Sequence, residues 1–259
     1  MKRNIYHTHQ CKDLNISNVG ESVTVSGWVE NIRDHGGVLF LDLRDNTDTI
    51  QVVSNDDNVF KALTKESVIK VTGTIRKRSE DTFNEKINTG EIELLVSSLE
   101  VLGKSKSELP FEIISSKNTK EDIRLKYRYL DMRNKKVKEN ILLRAEILHF
   151  LRNKMYDLGF TEVQTPILTA SSPEGARDFV VPSRLFNGKF YALPQAPQLY
   201  KELLMVGGFE KYFQIAPCFR DEDARADRTL EFYQLDFEMS YVEEDEVLEV
   251  GEEIFYDTF

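Results

Sequence analysis

The chain has 259 residues, 41% of them hydrophobic and 30% charged, which is room for two domains and a soluble globular composition rather than a disordered or collagen-like one. No apolar run approaches the roughly 18 residues of a membrane span, and the start to Asn15 has no apolar signal core. Net charge is −10, which argues against gripping nucleic acid by bulk charge, and two cysteines cannot make a disulfide framework, so a reducing cytosol is the simplest compartment.

The first hundred residues read as strands. Val23, Val25 and Val29 alternate with polar neighbours around Gly27, and Leu39, Leu41 and Leu43 alternate with Val38, Phe40 and Asp42. Further runs follow at Ile50–Val53, Val68–Ile75 and Ile92–Leu102. Period-two patterning between Asp, Asn and Gly clusters predicts a small β-barrel. A helix expected over Asp57–Lys65, between the third and fourth strands, completes the arrangement of an OB-fold.

Residues 106–140 carry net +4 on an otherwise acidic chain. Lys117, Lys120, Arg124, Lys126, Arg128, Arg133, Lys135, Lys136 and Lys138 form this basic connector. It reads equally as a solvated surface or as a contact for a phosphate backbone. From Val137 to Leu151 the apolar spacing is helical, and Gly159 fits a C-cap. Strands are expected at Phe160–Thr165, Phe190–Leu193, Tyr212–Pro217 and Glu231–Ser240, with a helix at Gln198–Met205. The chain closes on an acidic helical pattern, Glu243–Phe259, that reads as cut within a helix. The organisation expected is 1–105 barrel, 106–135 connector or hinge, and 136–259 a second, α+β domain.

Several motifs fail. Gly103-Lys104-Ser105 ends like a P-loop, but the glycine required five residues earlier is Ser98. His7, His9 and Cys11 lack a fourth metal ligand nearby. Cys218 sits in a strand-like run and reads as a buried neutral thiol rather than a nucleophile.

Two segments carry a family resemblance. One is Phe219-Arg220-Asp221-Glu222-Asp223 with Arg225-Ala226-Asp227-Arg228, then Glu231-Phe232, Gln234, Asp236 and Glu238. It resembles motif 2 of the class II aminoacyl-tRNA synthetases in the bacterial aspartyl form. The other is Gln164-Thr165-Pro166 followed by Ser172-Pro173-Glu174-Gly175-Ala176-Arg177-Asp178-Phe179. It is similar to motif 1 and the mobile loop beyond it. Ala192 to Lys201 resembles the family's amino-acid pocket. Gly27-Trp28-Val29 with Leu41-Asp42-Leu43-Arg44-Asp45 resembles its anticodon-binding OB-fold.

The resemblance implies an aspartate–tRNA ligase. Aspartate attacks the α-phosphorus of ATP, pyrophosphate leaves, and the aspartyl group passes to tRNA(Asp). Such catalysis is positioning plus charge stabilisation, with no protein nucleophile. It implies catalytic roles for Arg220 and Glu222, which with Asp221 would bind ATP. Arg220 would bridge the α-phosphate and the aspartate carboxylate, which its planar fork suits. Glu174, Gln198, Lys201, Arg220 and Asp236 would bind aspartate. Lys201 would pair with the side-chain carboxylate, Gln198 and Asp236 would hold the amine and lock Lys201, and Glu174 would close over the substrate on a loop that Gly175 frees to move. Arg33, Phe40, Gln51 and Glu93 would read the anticodon, Phe40 by stacking. Arg225 and Arg228 would approach the tRNA acceptor end. His35 resembles the relaxed form that also charges tRNA(Asn). Without the resemblance, Lys201 reads as a surface lysine and Phe40 as a core aromatic.

The resemblance also implies a homodimer through motif 1, with Asn140 to Pro166 near the two-fold axis. Mg2+ would be held by ligands beyond residue 259, where motif 3 would also lie, so no metal ligand is expected in this chain and it reads as the N-terminal part of a longer enzyme. Ala196 stands where the family often has Ser, and Thr229 and Leu230 where Gln and Pro are common. An asparaginyl-tRNA synthetase and a non-catalytic, tRNA-binding paralogue are the rival readings.

Overall fold

The structure is a computed structural model. It describes residues 4–35, 38–54, 56, 58–61, 63–106, 108–172, 175–223, 225 and 227–259, excepting the side chain of His35. The chain divides into two compact units, Met1–Ile123 and Arg124–Phe259.

In the first unit, five strands close a barrel in the order β1-β2-β3-β5-β4. They are β1 (Ser22–His35), β2 (Val38–Arg44), β3 (Thr49–Ser54), β4 (Val68–Lys77) and β5 (Ile92–Gly103). Neighbours pair antiparallel except β3 and β5, which close the barrel in parallel through Val52↔Leu94 and Val53↔Leu95. Alternation does the folding. Leu39, Leu41 and Leu43 of β2 point inward with Val23, Val25, Val29, Ile50, Ile69, Val71, Ile75 and Leu94. Val38, Phe40, Asp42 and Arg44 take the other face. A β-bulge between Val29 and Asn31 shifts the register against β2, and Arg33 then stands opposite Phe40. Gly73 is needed where it is: a Cβ there would lie 2.1 Å from the Leu95 carbonyl oxygen.

The helix expected over Asp57–Lys65 does not form. The described residues of that segment make turns. Asp56 explains the difference: its Oδ1 accepts the Asn58 backbone N–H at 2.9 Å and so offers the chain a turn in place of the first helical bond. Phe60 and Leu63 still join the barrel core, with Cys11 and Leu14 from the N-terminal segment. Burial pushes the Cys11 thiol up, out of reach of ionisation at neutral pH. Its backbone N–H donates to Asp45 Oδ2 at 2.7 Å. Burial opposes the Asp45 carboxylate, but hydrogen bonds from Cys11, Thr47 and Asp48 outweigh it and hold its pKa below the ordinary value. Among the described residues no three His, Cys, Asp or Glu side chains are grouped to hold a metal ion. Nor is any described helix long and apolar enough to cross a membrane.

The second unit opens with two short helices, α1 (Glu121–Lys126) and α2 (Arg128–Asp131), at the basic connector. Two of its cations are spoken for. Asp131 has a fully buried side chain; it accepts both Nε and Nη2 of Arg124 at 3.1 Å and Nη1 of Arg128 at 2.6 Å. The long helix α3 (Lys135–Asp157) starts at Asn134, whose side chain accepts the Lys136 N–H. It ends at Leu158, and Gly159 follows at φ +81°, the left-handed position that favours glycine.

Then come β6 (Thr161–Glu162), β7 (Val180–Pro182), β8 (Phe190–Ala192), α4 (Gln198–Val206), β9 (Lys211–Phe219), β10 (Glu231–Met239) and α5 (Glu244–Thr258). β9 and β10 are antiparallel, and β6 joins β9 in parallel with only two residues, shorter than its apolar pattern predicts. Pro166 and the Thr165–Gln214 side-chain bonds take the chain out of the ladder there. One face of this sheet is apolar: Phe213, Leu235, Phe237 and Met239 pack with Met155, Phe160 and Ile254. Lys154 ties α3 to α5 through Glu253 and Asp257, at 2.5 and 2.6 Å.

Leu41→Ala opens a void at a fully buried barrel position and costs about 3 kcal/mol, read as a lower denaturant midpoint for the barrel. Val101→Ala, at a position 47% exposed, stays within about 0.5 kcal/mol.

Candidate functional site

The opposite face of β9 and β10 is polar. Along β9 the alternation that sends Phe213 and Ile215 to one side leaves Tyr212, Gln214, Ala216 and Cys218 on the other. The cross-strand partners on that second face are Glu238, Asp236, Gln234 and Phe232. The carboxylates of β10 therefore stand beside one another, two residues apart.

Lys201, from α4, reaches this face. Its ammonium lies 3.1 Å from Asp236 Oδ1 and 3.1 Å from Glu238 Oε2. The Lys201 and Asp236 side chains are each 13% exposed. Burial works against the Lys201 charge, yet the two carboxylates outweigh it and hold its pKa above the ordinary lysine value. Burial likewise pushes the Asp236 carboxyl up, and Lys201 offsets only part of that. The second oxygen, Asp236 Oδ2, is buried without a hydrogen-bond partner. Below it Tyr212 donates to Gln214 Oε1 at 2.9 Å and also faces Asp236; burial, then the Asp236 charge, raises the Tyr212 hydroxyl so that it stays protonated, and that hydroxyl in turn favours the Asp236 carboxylate. The cluster sets one fixed cation between two carboxylates, with Asp236 Oδ2 enclosed by the protein.

Gln198 is elsewhere. Its amide donates to Glu202 Oε1 at 2.8 Å on its own helix, so Asp236 holds Lys201 and Gln198 does not touch it. Glu174 and the side chain of His35 lie outside the described residues. A cleft of about 240 Å³ adjoins Leu199, Tyr200 and Leu203 of α4, with Thr169, Asp178 and Gln195 among its walls; Lys201 is not one of them.

At the end of β9, Arg220 extends the ladder, its N–H donating to Leu230 O at 2.9 Å. Its guanidinium stacks over the Phe232 ring, 5.0 Å from the centroid, which holds the fork in place with its charge free for an anion. Arg220 favours the nearby Cys218 thiolate, but burial dominates and the thiol is pushed up to about 11. Cys218 instead faces Gln234 Oε1 at 3.2 Å. Glu222 faces Arg228 at 4.0 Å, a loose surface pair, and Arg225 and Arg228 bridge through their backbones with exposed side chains. Asp221 is bridged to Arg177.

On the barrel, Arg33, Gln51 and Glu93 are linked. Arg33 Nη2 donates to Asp42 at 2.6 Å and to Gln51 Oε1 at 3.3 Å, and Gln51 Nε2 donates to Glu93 Oε2 at 2.7 Å. Arg76 completes the chain at 2.6 Å from Glu93. Burial pushes the Asp42 carboxyl up more than Arg33 and Arg78 pull it down. Phe40 stands half-buried on the outer side of β2, opposite Arg33, and not in the barrel core.

Both units match known families. Residues 120–259 match the family model of class II tRNA synthetases (D, K and N), and residues 23–102 match the OB-fold nucleic acid binding domain. The chain belongs to the class II tRNA synthetases. Among family members, it is 56% identical to the aspartate–tRNA(Asp/Asn) ligase of Pelagibacter ubique and 56% identical to that of Anaplasma phagocytophilum. Each alignment covers 99% of this chain and 44% of the relative, so the chain spans under half the length of these curated synthetases. The asparaginyl-tRNA synthetase of Pyrococcus horikoshii, solved with asparaginyl-adenylate, superposes with a TM-score of 0.84 at 26% identity, over 96% of this chain and 57% of that one.

Sequence reasoning left out Glu238 as a partner of Lys201, although its spacing of two from Asp236 was the available signal. On the barrel, Asp42 lay within the Leu41–Asp45 run quoted above but was given no role, and Arg76 was not singled out. Lys201→Met leaves both carboxylates unpaired and costs about 3 kcal/mol at neutral pH. The loss shrinks on acidification. A carboxyl whose folded pKa is raised binds its proton more readily folded than unfolded, so the variant regains stability as pH falls through that raised value. Denaturant melts at pH 5 and pH 8 check both the size and the sign.

Proposed function

We propose that this protein acts in aspartate–tRNA ligation, activating L-aspartate with ATP and transferring it to tRNA(Asp). The observation that carries the reading is Lys201 fixed against Asp236, with Asp236 Oδ2 buried and unsatisfied. A substrate ammonium would satisfy that oxygen, and a side-chain carboxylate would share the Lys201 charge with Glu238, the most exposed of the three groups at 33%. Asparagine offers Lys201 no charge, so the pocket favours the acid. The 56% identity to relatives named aspartate–tRNA(Asp/Asn) ligase supports the same choice and extends it to tRNA(Asn), the partner for which His35 was singled out.

In this reading Arg220 and Glu222 take the catalytic positions and, with Asp221, bind ATP, Arg220 at the α-phosphate and Glu222 on the adenine or ribose side. Arg220 is suited to phosphate by its stacked, pre-set guanidinium. Stacking spends the side-chain entropy before the nucleotide arrives, and the fork can then follow charge from ground state to transition state. Gln198 and Glu174 remain assigned to the aspartate pocket, Gln198 after release from Glu202. Arg225 and Arg228, exposed at the loop tip, are assigned to the acceptor end of the tRNA. Mg2+ would neutralise the phosphates. Among the described residues no three His, Cys, Asp or Glu side chains are grouped to hold it.

The barrel would read the anticodon. Phe40 offers a stacking face beside the polar chain of Arg33, Gln51 and Glu93. A homodimer is part of the proposal. Exposed Ile141, Leu142 and Leu143 on α3 supply apolar surface for it. The hinge role of 106–135 and a cytoplasmic location belong to the proposal too.

The test is aspartate-dependent exchange of pyrophosphate into ATP, with asparagine as control. Exchange with aspartate alone supports the proposal, and exchange with asparagine alone contradicts it. In the active protein Lys201→Met abolishes exchange, and Phe40→Ala weakens tRNA binding about tenfold, the value of one stacked base, without changing exchange.

A further inference from the structure

We propose that Gln195 is a positioning residue that holds the Arg220 loop through the chain at 176–178. Gln195 is 2% exposed, so its amide has to find partners within the protein. It finds them all on one short stretch. Gln195 Oε1 accepts the Ala176 N–H at 3.1 Å, and Nε2 donates to Ala176 O at 2.9 Å and to Asp178 Oδ1 at 2.5 Å. Both backbone groups of Ala176 are therefore paired by one side chain, as a neighbouring strand would pair them.

The next residue turns the clamp outward. Arg177 O accepts the Asp221 N–H at 3.0 Å, and Arg177 Nε donates back to Asp221 O at 3.4 Å. Asp221 follows Arg220 directly, and the Glu222 N–H donates to Arg220 O at 3.0 Å. The connection runs Gln195, Ala176, Arg177, Asp221, Arg220. Gln195 also lies six residues before Lys201, on the segment that leads into α4. One buried amide thus joins the segment bearing the Lys201 site to the loop bearing Arg220. A side-chain amide suits this work because it carries a donor and an acceptor with no charge to desolvate. The consequence for ATP rests on the reading of Arg220 given above; the mechanical coupling does not.

Amide hydrogen exchange by NMR tests it in the whole chain. Gln195→Met keeps the volume and removes every hydrogen bond. Protection of the Ala176 and Asp221 N–H groups falls by about tenfold or more, while the Lys201 N–H, bonded to Pro197 O at 3.0 Å, stays within about twofold. Gln195→Glu keeps the acceptor for Ala176 and loses both donations, and gives the same loss at Asp221. Asp178→Ala spares the Ala176 clamp and leaves Asp221 within about threefold. If Gln195→Met does not fold, the last two variants decide. Unchanged Asp221 protection in the Gln195 variants overturns the proposal. Equal loss at Lys201 and Asp221 also overturns it, because that is what general loosening produces. Calorimetry adds the ligand: ATP affinity falls about tenfold in the Gln195 variants and aspartate affinity stays within about threefold. Loss of Asp221 protection in a protein whose unmutated form binds no ATP keeps the coupling and rejects the ATP reading.

Discussion

The Lys201 ammonium between Asp236 and Glu238 is the interaction on which the second unit's site depends. It exists because two adjacent antiparallel strands sort their side chains by parity. One face of β9 and β10 carries Phe213, Phe237 and Met239 into the core under α3 and α5. The other carries Asp236, Glu238, Gln214 and Gln234 to the side that α4 approaches. A sheet that were apolar on both faces would pack more stably and bind nothing charged. Here the cost of half-burying two carboxylates is offset by one lysine, and Asp236 Oδ2 is left without a partner. An unsatisfied buried oxygen is costly to keep, and it is the feature a ligand's ammonium would relieve.

The barrel solves a related problem on its outer surface. Its interior is wholly aliphatic along β2, while Asp42, Arg33, Gln51, Glu93 and Arg76 form a connected polar chain outside. Hydrogen-bonded neighbours hold each group in one orientation, and a half-buried aromatic, Phe40, stands next to them. Order of this kind suits recognition of an unstacked base, where several polar contacts have to be in place together. Both units thus use alternation to put apolar packing on one face and hydrogen-bonded polar groups on the other.

Much of this was legible in the sequence, for a physical reason. Period-two patterning placed β2 to β5 within about two residues and found the start of β1 but not its extension past Val29 to His35, and Gly159 marked the end of α3. The family motifs led to Arg220, Lys201 and Asp236. The misses have causes too. Asp57–Lys65 had helical composition, but the Asx turn at Asp56 competes locally for the backbone, and propensity does not see that. Spacing put Glu202 four residues after Gln198 and Glu238 two after Asp236, but which of these pairs closes depends on the rotamers that packing allows. The buried Asp131, which neutralises Arg124 and Arg128, sits in a run that reads as net basic. Gln195 lay in the Ala192–Lys201 run but had no role assigned, because its partners, the Ala176 backbone and the Asp178 carboxylate, lie 19 and 17 residues away.

In the proposed function, Lys201 and Asp236 recognise an amino acid with a carboxylate side chain. Calorimetric titration of this chain with L-aspartate, L-asparagine and succinate measures it most directly. The account predicts that aspartate binds, that asparagine binds at least about tenfold more weakly for want of the side-chain charge, and that succinate is weakened because it lacks the ammonium for Asp236. Equal affinity for aspartate and asparagine, or tighter binding of asparagine, would contradict it.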